Sequence, residues 1–369
     1  MSLTFNNDPT QEVLTEYTDI SKILLKKVLY QLDKKSSCEI IPLYDFGFPH
    51  DVIRIAGGFP TGIFLKWECK IPFLPIDTTV NVCSTTIFEL DSDILENISE
   101  EFIYKFKDKI DKSEYKYNFD RGNHFISFCE STTTHKNYLI LHSSAAEFKK
   151  GFSGLYPVED NWFCNDIKVF HENDRYIRYI VGSKAELFWQ MANQLINFNQ
   201  VRHRFFGEVI VDGLCKILNE KIFHHYYMPT NQSVAIGCHL VKQNEIFPFL
   251  TYPGHPIFFI KILKSTENKI LLNEKSFHLL PHGWGKESKI KPIIKVDYFK
   301  KEFILNELKF PINSYESLRN HPDLQLRKFS INPYEKNFFF NLIKDKIKLK
   351  IIDTLNQKIS ISKLGLKRW

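Results

Sequence analysis

The sequence predicts one large domain of the mixed α/β class, in which α and β layers pack on each other. Segments with helical periodicity alternate irregularly with short apolar runs typical of strands. The chain has 369 residues, 43% of them hydrophobic, which is enough for a sizeable core. No linker, internal repeat or low-complexity tract interrupts it, so we treat residues 1–369 as a single unit.

Three segments have the apolar spacing of amphipathic helices. The first covers residues 8–33, with Asp8 as N-cap and Pro9 in the first turn. A second is expected to begin near Asp91, with Leu95 and Phe106 on its apolar face, and a third covers residues 183–204. All three are expected to serve as scaffold.

Short runs rich in β-branched and aromatic residues predict strands between these helices. They are Phe125–Phe128, Tyr138–Leu141, Val234–Gly237 and Ile257–Ile260. A glycine-rich segment, residues 57–62, lacks the lysine and the spacing of a phosphate-binding loop and by itself predicts only a turn.

The cysteine pattern and the N-terminus bear on the compartment. Seven widely spaced cysteines without a CxxC pair argue against both a disulfide framework and a zinc ribbon, so the thiols are expected to be reduced. The N-terminus lacks the features of a signal peptide, and no stretch approaches the roughly 20 apolar residues of a membrane span. We therefore expect a cytoplasmic protein without a membrane partner.

Charge is distributed unevenly along the chain. Residues 259–369 contain 23 Lys and Arg against 11 Asp and Glu, whereas the whole chain carries a formal charge of +6. This basic C-terminal part would attract phosphates and could hold RNA or DNA. A lysine-rich solvated face in a chain rich in Lys, Ile, Asn and Phe explains the same pattern.

One cysteine and three histidines stand at the ends of predicted strands. Cys83 follows a strand-like run, His124 opens a strand, His142 closes the next, and His224 precedes another. Thiolate and imidazole together suit zinc, manganese, iron or cobalt. Each residue alone is more often a core or hydrogen-bonded side chain, and their spacing does not prove that they meet.

Short segments of the chain resemble, in the same order, the motifs of the RtcB-type RNA ligases, the 3′-phosphate/5′-hydroxyl tRNA-splicing ligases. Arg121–Ile126 (RGNHFI) is similar to the family's GGGNHFIE, and Leu139–Ser144 is similar to its strand ending in HSGS. The other similar segments are residues 57–62, 80–83, 224–226, 252–256 and 281–289, and the helix around Asn199.

The resemblance implies manganese, one or two ions, and GTP as cofactors. It implies a mechanism in which His282 attacks the α-phosphate of GTP and passes the guanylate to an RNA 3′-phosphate, after which a 5′-hydroxyl end displaces GMP. Cys83, His124, His142 and His224 would bind metal. The nucleotide contacts implied are Asn123, His225, Gly283, Gly285, Lys286 and Lys367.

Several positions depart from the family pattern. Val80 replaces a metal-binding aspartate, with Asp77 or Asn81 as possible substitutes; Ser127 replaces a carboxylate, and Lys286 stands for an arginine. We therefore expect one firmly held metal ion and a weakened or lost second position. Two alternatives stay open: a relative that binds RNA ends or a protein partner without ligating, and a metal-dependent phosphoesterase. The sequence does not identify an activating protein.

Overall fold

The computed structural model describes residues 9–120, 122–145, 147, 154–158, 161–250, 254–264, 269–282, 286–287, 291–314, 318, 327–328 and 348–369.

Helices account for the smaller part of the regular structure in these residues. The α-helices are α1 (Pro9–Leu32), α2 (Val52–Ala56), α3 (Glu100–Asp111) and α4 (Ser183–Val211). Short 3-10 turns cover Ile76–Thr78, Leu95–Asn97 and Cys164–Asp166.

The first helix ends at Leu32, within a residue of the predicted end, whereas the predicted N-cap Asp8 lies outside the described residues. The other two helices differ from their predicted bounds. Ser99, not Asp91, is the N-cap of α3, because its hydroxyl accepts the backbone N–H of Phe102 at 3.2 Å. The carboxylate of Asp93 instead caps the 3-10 turn at Leu95, with a 2.8 Å hydrogen bond. Helix α4 continues seven residues beyond the predicted end at Arg204, to Val211.

The largest sheet curls into a half-barrel and organises the domain. Its strand order is β13-β14-β22-β5-β6-β4-β9, with β23 paired to β22. The strands are β4 (Ser84–Leu90), β5 (Phe125–Ser131), β6 (Asn137–Ser143), β9 (Ile217–His224), β13 (Ile246–Phe249), β14 (Ile257–Lys264), β22 (Lys348–Ser362) and β23 (Gly365–Arg368).

Smaller sheets surround the half-barrel. A four-stranded sheet in the order β1-β2-β11-β10 packs against α1. Its strands are β1 (Ser37–Gly47), β2 (Thr61–Glu68), β10 (Tyr226–Thr230) and β11 (Ser233–Ile236). The rest are β3 (Phe73–Pro75), β7 (Lys168–Glu172), β8 (Arg175–Val181), β12 (Cys238–Val241), β15 (Lys269–Leu272), β16 (Lys275–Pro281), β17 (Lys286–Glu287), β18 (Ile294–Asp297), β19 (Glu302–Leu305), β20 (Leu308–Pro311) and β21 (Arg327–Lys328).

Both faces of the half-barrel are covered, which explains its apolar strands. On β6, Leu139 and Leu141 pack toward α3 and α4, whereas Tyr138 and Ile140 belong to the core on the opposite, inner face. The same alternation puts His142 on the inner face.

The basic C-terminal part is not a separate unit. Its strand β22 lies between β14 and β5, in the interior of the large sheet. The chain therefore forms one mixed α/β domain, as the sequence predicts.

Candidate metal centre

Cys83 lies at the end of the turn 79–83, directly before β4, and side-chain hydrogen bonds stabilise this turn. Thr79 and Val82 have positive φ values of 45° and 51°, which β-branched residues rarely adopt. The buried guanidinium of Arg54 donates to the Thr79 hydroxyl from Nε at 2.8 Å and from Nη2 at 2.7 Å. The side chain of Asn81 accepts the backbone N–H of Cys83 at 3.2 Å. These contacts stabilise an unfavourable backbone and fix the direction of the Cys83 thiol.

Two histidines turn the same ring nitrogen toward this thiol. His142 Nδ1 lies 3.0 Å from the carbonyl oxygen of Asn123, and His124 Nδ1 lies 3.0 Å from that of Asn118. Because a carbonyl only accepts, each Nδ1 carries the proton, and each Nε2 keeps its lone pair. The Nε2 atoms of His142 and His124 lie 3.4 and 3.9 Å from Cys83 Sγ.

His225 completes the cluster. Its Nε2 lies 3.1 Å from His142 Nε2. Its backbone N–H donates to the Cys83 carbonyl at 3.1 Å, and its own carbonyl accepts from Gly237 at 2.7 Å. Burial, reinforced by neighbouring histidines, holds the pKa of His225 well below its ordinary value, so its imidazole is neutral near pH 7. Among the described residues, no hydrogen-bond partner reaches His225 Nδ1.

The geometry brings together three ligand atoms suited to a transition metal. One atom from each of Cys83, His142 and His225 lies within 4.8 Å of the other two, and all three residues are buried. His124 is not in this group. Thiolate and neutral imidazole suit the ions considered above, and the Nδ1–H bond of His142 to a carbonyl is the usual support of a metal-binding histidine. The residues present therefore fit one ion with three protein ligands.

His224, the predicted ligand, is not a member of this group. Strand β9 pairs with β4 so that His224 stands opposite Ser84, and its Nδ1 lies 2.7 Å from the Ser84 hydroxyl. Burial lowers its pKa to about 4. His225, predicted as a nucleotide contact, is the third member of the group.

His282 lies beside the cluster and has a carboxylate partner. Its Nδ1 donates to Asp45 Oδ2 at 2.8 Å, and both side chains are buried. Its ring stacks on that of His225, with centroids 5.3 Å apart and 29° between the planes. Because Nδ1 keeps its proton and donates it in the hydrogen bond to Asp45, Nε2 is the nitrogen with the lone pair.

Two glycines make room for the His282–Asp45 pair. A Cβ on Gly237 would lie 2.9 Å from two atoms of the His282 ring, and one on Gly62 would lie 2.7 Å from an oxygen of Asp45. Both glycines also have positive φ, +68° and +79°. The glycine-rich segment 57–62 therefore does more than form a turn, because it lets the backbone pass close to Asp45.

Val80 stands where the resemblance implies a metal-binding aspartate, and the two possible substitutes, Asp77 and Asn81, make other contacts. Asp77 is fully buried and accepts hydrogen bonds from Arg178 Nε at 3.0 Å to each carboxylate oxygen. Asn81 caps the backbone of Cys83, and Val80 packs in the core beneath α1. Ser127 is buried and donates to Gln357 at 3.0 Å. In the described part of the chain, the three-ligand group is the only one of its kind.

The predicted nucleotide contacts are only partly described. Asn123 orients His142 through its carbonyl. Lys367 is exposed on β23, opposite Ser360, and is separated from β6 by β22 and β5. Lys286 lies in β17, and Gly283 and Gly285 lie outside the described residues.

Helix α4 supports the strand ends that carry the ligands. Asn199 donates to the Val82 carbonyl at 3.0 Å and to the Ser84 hydroxyl at 2.9 Å. Fully buried Arg202 donates to the Ser143 hydroxyl at 2.8 Å and pairs with Glu147 at 2.9 Å. These bonds fix the residues directly after Cys83 and His142 and thereby hold the two ligands in register.

Sequence reasoning missed two residues near the centre. Asp45 belongs to no recognised motif and lies 237 positions from its partner His282. His239 is buried, and its ring centroid lies 4.9 Å from that of His225. The only signal for either was the residue type, a carboxylate or an imidazole in an apolar strand.

Comparisons with known proteins leave the chain without an assigned family. No protein-family model matches it, and no curated protein matches it either. Among the described helices, none is both long and apolar enough to cross a membrane.

Proposed function

We propose that the chain is a metal- and GTP-dependent RNA ligase that joins a 3′-phosphate end to a 5′-hydroxyl end through a guanylylated histidine. One observation carries the proposal: a histidine oriented by a buried carboxylate, His282 with Asp45, stacks against a ligand of a metal-competent cluster. A nucleophile next to a site for a cation is what nucleotidyl transfer requires.

In the first step, His282 Nε2 attacks the α-phosphorus of GTP. A phosphorus–nitrogen bond forms, the bond to the bridging oxygen breaks, and pyrophosphate leaves with that electron pair. Asp45 stabilises the positive charge that develops on the imidazole, because its carboxylate accepts the Nδ1–H bond at 2.8 Å. The close approach of Gly237 keeps the His282 ring in one orientation.

Cys83, His142 and His225 would hold the metal ion, which supplies positive charge against the triphosphate. The chain contributes a neutral ligand, because burial keeps His225 unprotonated. It also excludes water, since all three ligands are buried. Val80 and the paired Asp77 leave no carboxylate ligand from this loop, which favours one ion over two.

In the second step, an oxygen of the RNA 3′-phosphate attacks the guanylate phosphorus and releases His282. The 5′-hydroxyl of the other strand then attacks the 3′-phosphate phosphorus, and GMP leaves as the new phosphodiester forms. The excess of Lys and Arg in residues 259–369 supports an RNA substrate, because cations on the protein displace the counterions of the phosphate backbone.

The test is covalent labelling with manganese and GTP carrying radioactive α-phosphate. We expect an acid-labile label that is absent in His282→Ala. Asp45→Asn should slow labelling by about 100-fold or more, because the amide no longer orients or stabilises the imidazolium. His135→Ala, a change at an exposed histidine on the β5–β6 turn, is the matched control and should label normally.

Other outcomes identify the alternatives. A chain that binds metal and RNA and never becomes labelled is a non-ligating relative. Hydrolysis of phosphate esters without any nucleotide requirement identifies a metal-dependent phosphoesterase. Either result contradicts the ligase proposal.

A further inference from the structure

A second site candidate lies on the inner face of the half-barrel, away from the metal centre. It is a cavity of about 580 Å³ between strands β4, β6 and β9 on one side and β13, β14 and β22 on the other. Its volume falls within the range of small-molecule sites. Tyr138 lines it and precedes His142 by four residues on β6, a separation of about 14 Å along a strand.

Aromatic and aliphatic side chains form the walls. Tyr138 and Phe259 meet nearly at right angles, with ring centroids 5.4 Å apart and 85° between the planes. Ile87 and Phe223 continue the apolar lining. The face of Phe223 already carries a cation, because Lys221 Nζ lies 4.8 Å from its centroid. The cavity therefore offers aromatic surface of the kind that binds cations.

The charges around the cavity are compensated with one exception. Three lining carboxylates have a cationic partner: Glu89 pairs with Lys136 at 2.6 Å, Glu245 pairs with Lys221 at 3.0 Å, and Glu220 pairs with Arg204. Asp353 differs. In the described part of the chain, no lysine, arginine or histidine lies within ion-pair distance of it.

Asp353 is buried, with 9% of its surface exposed. The Ser131 hydroxyl donates to one oxygen at 2.7 Å, and the backbone N–H of Thr354 donates to the other at 2.7 Å. Both donors are neutral, so they stabilise the carboxylate without cancelling its charge. A cation in the cavity would supply the missing countercharge.

We infer that this cavity binds a small organic cation, an ammonium group carried on an apolar body, with Asp353 as its counterion and Tyr138 and Phe259 as its aromatic walls. A nucleotide or RNA in the same place would bring its phosphates against the Asp353 carboxylate, so the observations favour a cation. The inference therefore does not depend on the proposed ligase activity.

The test is calorimetric titration of the full chain with 2-phenylethylammonium, 2-phenylethanol and 3-phenylpropionate, which share an aromatic body and differ in charge. We expect the ammonium compound to bind at least 10-fold more tightly than the other two. Asp353→Asn should weaken its binding by at least 10-fold, and Tyr138→Leu should weaken it about 3- to 10-fold. Glu130→Gln is the matched control, because Glu130 lies outside the cavity and pairs with Lys358 and His135.

Asp353→Asn could also alter the turn at Ser131, because the Ser131 hydroxyl donates to Asp353. A second variant therefore tests the cavity without changing Asp353. Asn219 is exposed at the rim on the edge strand β9, so Asn219→Trp fills the entrance without contacting the core. It should abolish binding while the unfolding midpoint stays unchanged. Equal binding of the three compounds, no binding at millimolar concentration, or binding that survives both variants would each overturn the inference.

Discussion

Two buried histidines, His203 and His225, lie close to the same strand ends and differ in how their nitrogens are used. His203 Nδ1 lies 2.7 Å from the Thr86 hydroxyl, and its Nε2 lies 2.8 Å from the Ser143 hydroxyl. His225 Nε2 faces another imidazole at 3.1 Å, and its Nδ1 has no partner among the described residues. Burial lowers the pKa of both well below the ordinary value.

The comparison shows that neither burial nor a lowered pKa distinguishes a candidate metal ligand from a structural histidine. What distinguishes them is hydrogen-bond satisfaction. His203 has a hydroxyl partner at each nitrogen and no lone pair to offer, so it ties α4 to the sheet. His225 directs a nitrogen at a thiol and a second imidazole, an arrangement that only a shared proton or a metal ion satisfies.

The largest effect is expected from removing the thiol. Cys83→Ala should weaken binding of manganese or zinc by about 3–4 kcal/mol, a few hundred-fold, because each ligand contributes a comparable share of the binding free energy. Metal content after dialysis and competitive titration measure it. Cys129→Ala, a second buried cysteine on the large sheet, should bind metal normally, and equal loss in both variants would contradict the cluster.

Separate substitution of the adjacent residues His224 and His225 tests which of the two histidines binds the metal ion. His225→Ala should weaken metal binding by about 100-fold, and His224→Ala by less than about 10-fold, because His225 belongs to the three-ligand group whereas His224 is bonded to the Ser84 hydroxyl. The same titration measures both variants. The opposite ranking would identify His224 as the ligand, as the sequence predicts, and would contradict the assignment of His225.

Removal of the structural histidine should affect stability instead of metal binding. His203→Leu leaves the hydroxyls of Thr86 and Ser143 without their ring partner, which should cost about 1–3 kcal/mol of unfolding free energy. Urea denaturation of metal-free protein measures the cost. Metal affinity should change less than about 3-fold, and a large loss of metal would place His203 among the ligands.

The smallest effect concerns pH. Burial, together with the nearby Arg202, keeps the pKa of His203 well below that of the unfolded chain. The unfolded state therefore binds the extra proton, so the stability from this residue is present above about pH 6.5 and declines as the pH falls, by about 1.4 kcal/mol per unit.

His203→Leu should remove that slope from metal-free protein. Unfolding free energies at pH 7.0, 6.0 and 5.0 give the comparison. Parallel slopes in the two proteins would show that His203 binds its proton equally well in the folded and unfolded states, which would contradict the lowered pKa.

Local signals in the sequence predicted the fold class, the three longest helices and four of the strands, but not the sheet order. The Asp8–Pro9 start and the apolar spacing located α1, and the apolar runs located β5, β6, β11 and β14. The start of α3 was wrong, because two capping residues, Asp93 and Ser99, stand close together and spacing does not decide which of them opens the longer helix.

The site could be predicted only in part, because its geometry depends on long-range pairing. His224 and His225 are adjacent and chemically identical, and only the pairing of β9 with β4 decides which ring meets Cys83. The Asp45–His282 contact joins two sheets across 237 positions, and no local pattern encodes it. His142 was identified as a candidate at the end of a strand. Cys83 was identified because it follows the run of residues 78–82, but this run is not a strand, and β4 begins at Ser84, directly after Cys83.

The three ligands come from positions 83, 142 and 225, two of them at adjoining ends of β4 and β6 and the third just after β9. No two of them are close in sequence, so an unfolded chain has no preformed chelate to offer an ion. A metal ion bound by this group would therefore enter after the half-barrel has assembled. A chelator should then strip the ion and leave a folded apoprotein that reloads without refolding.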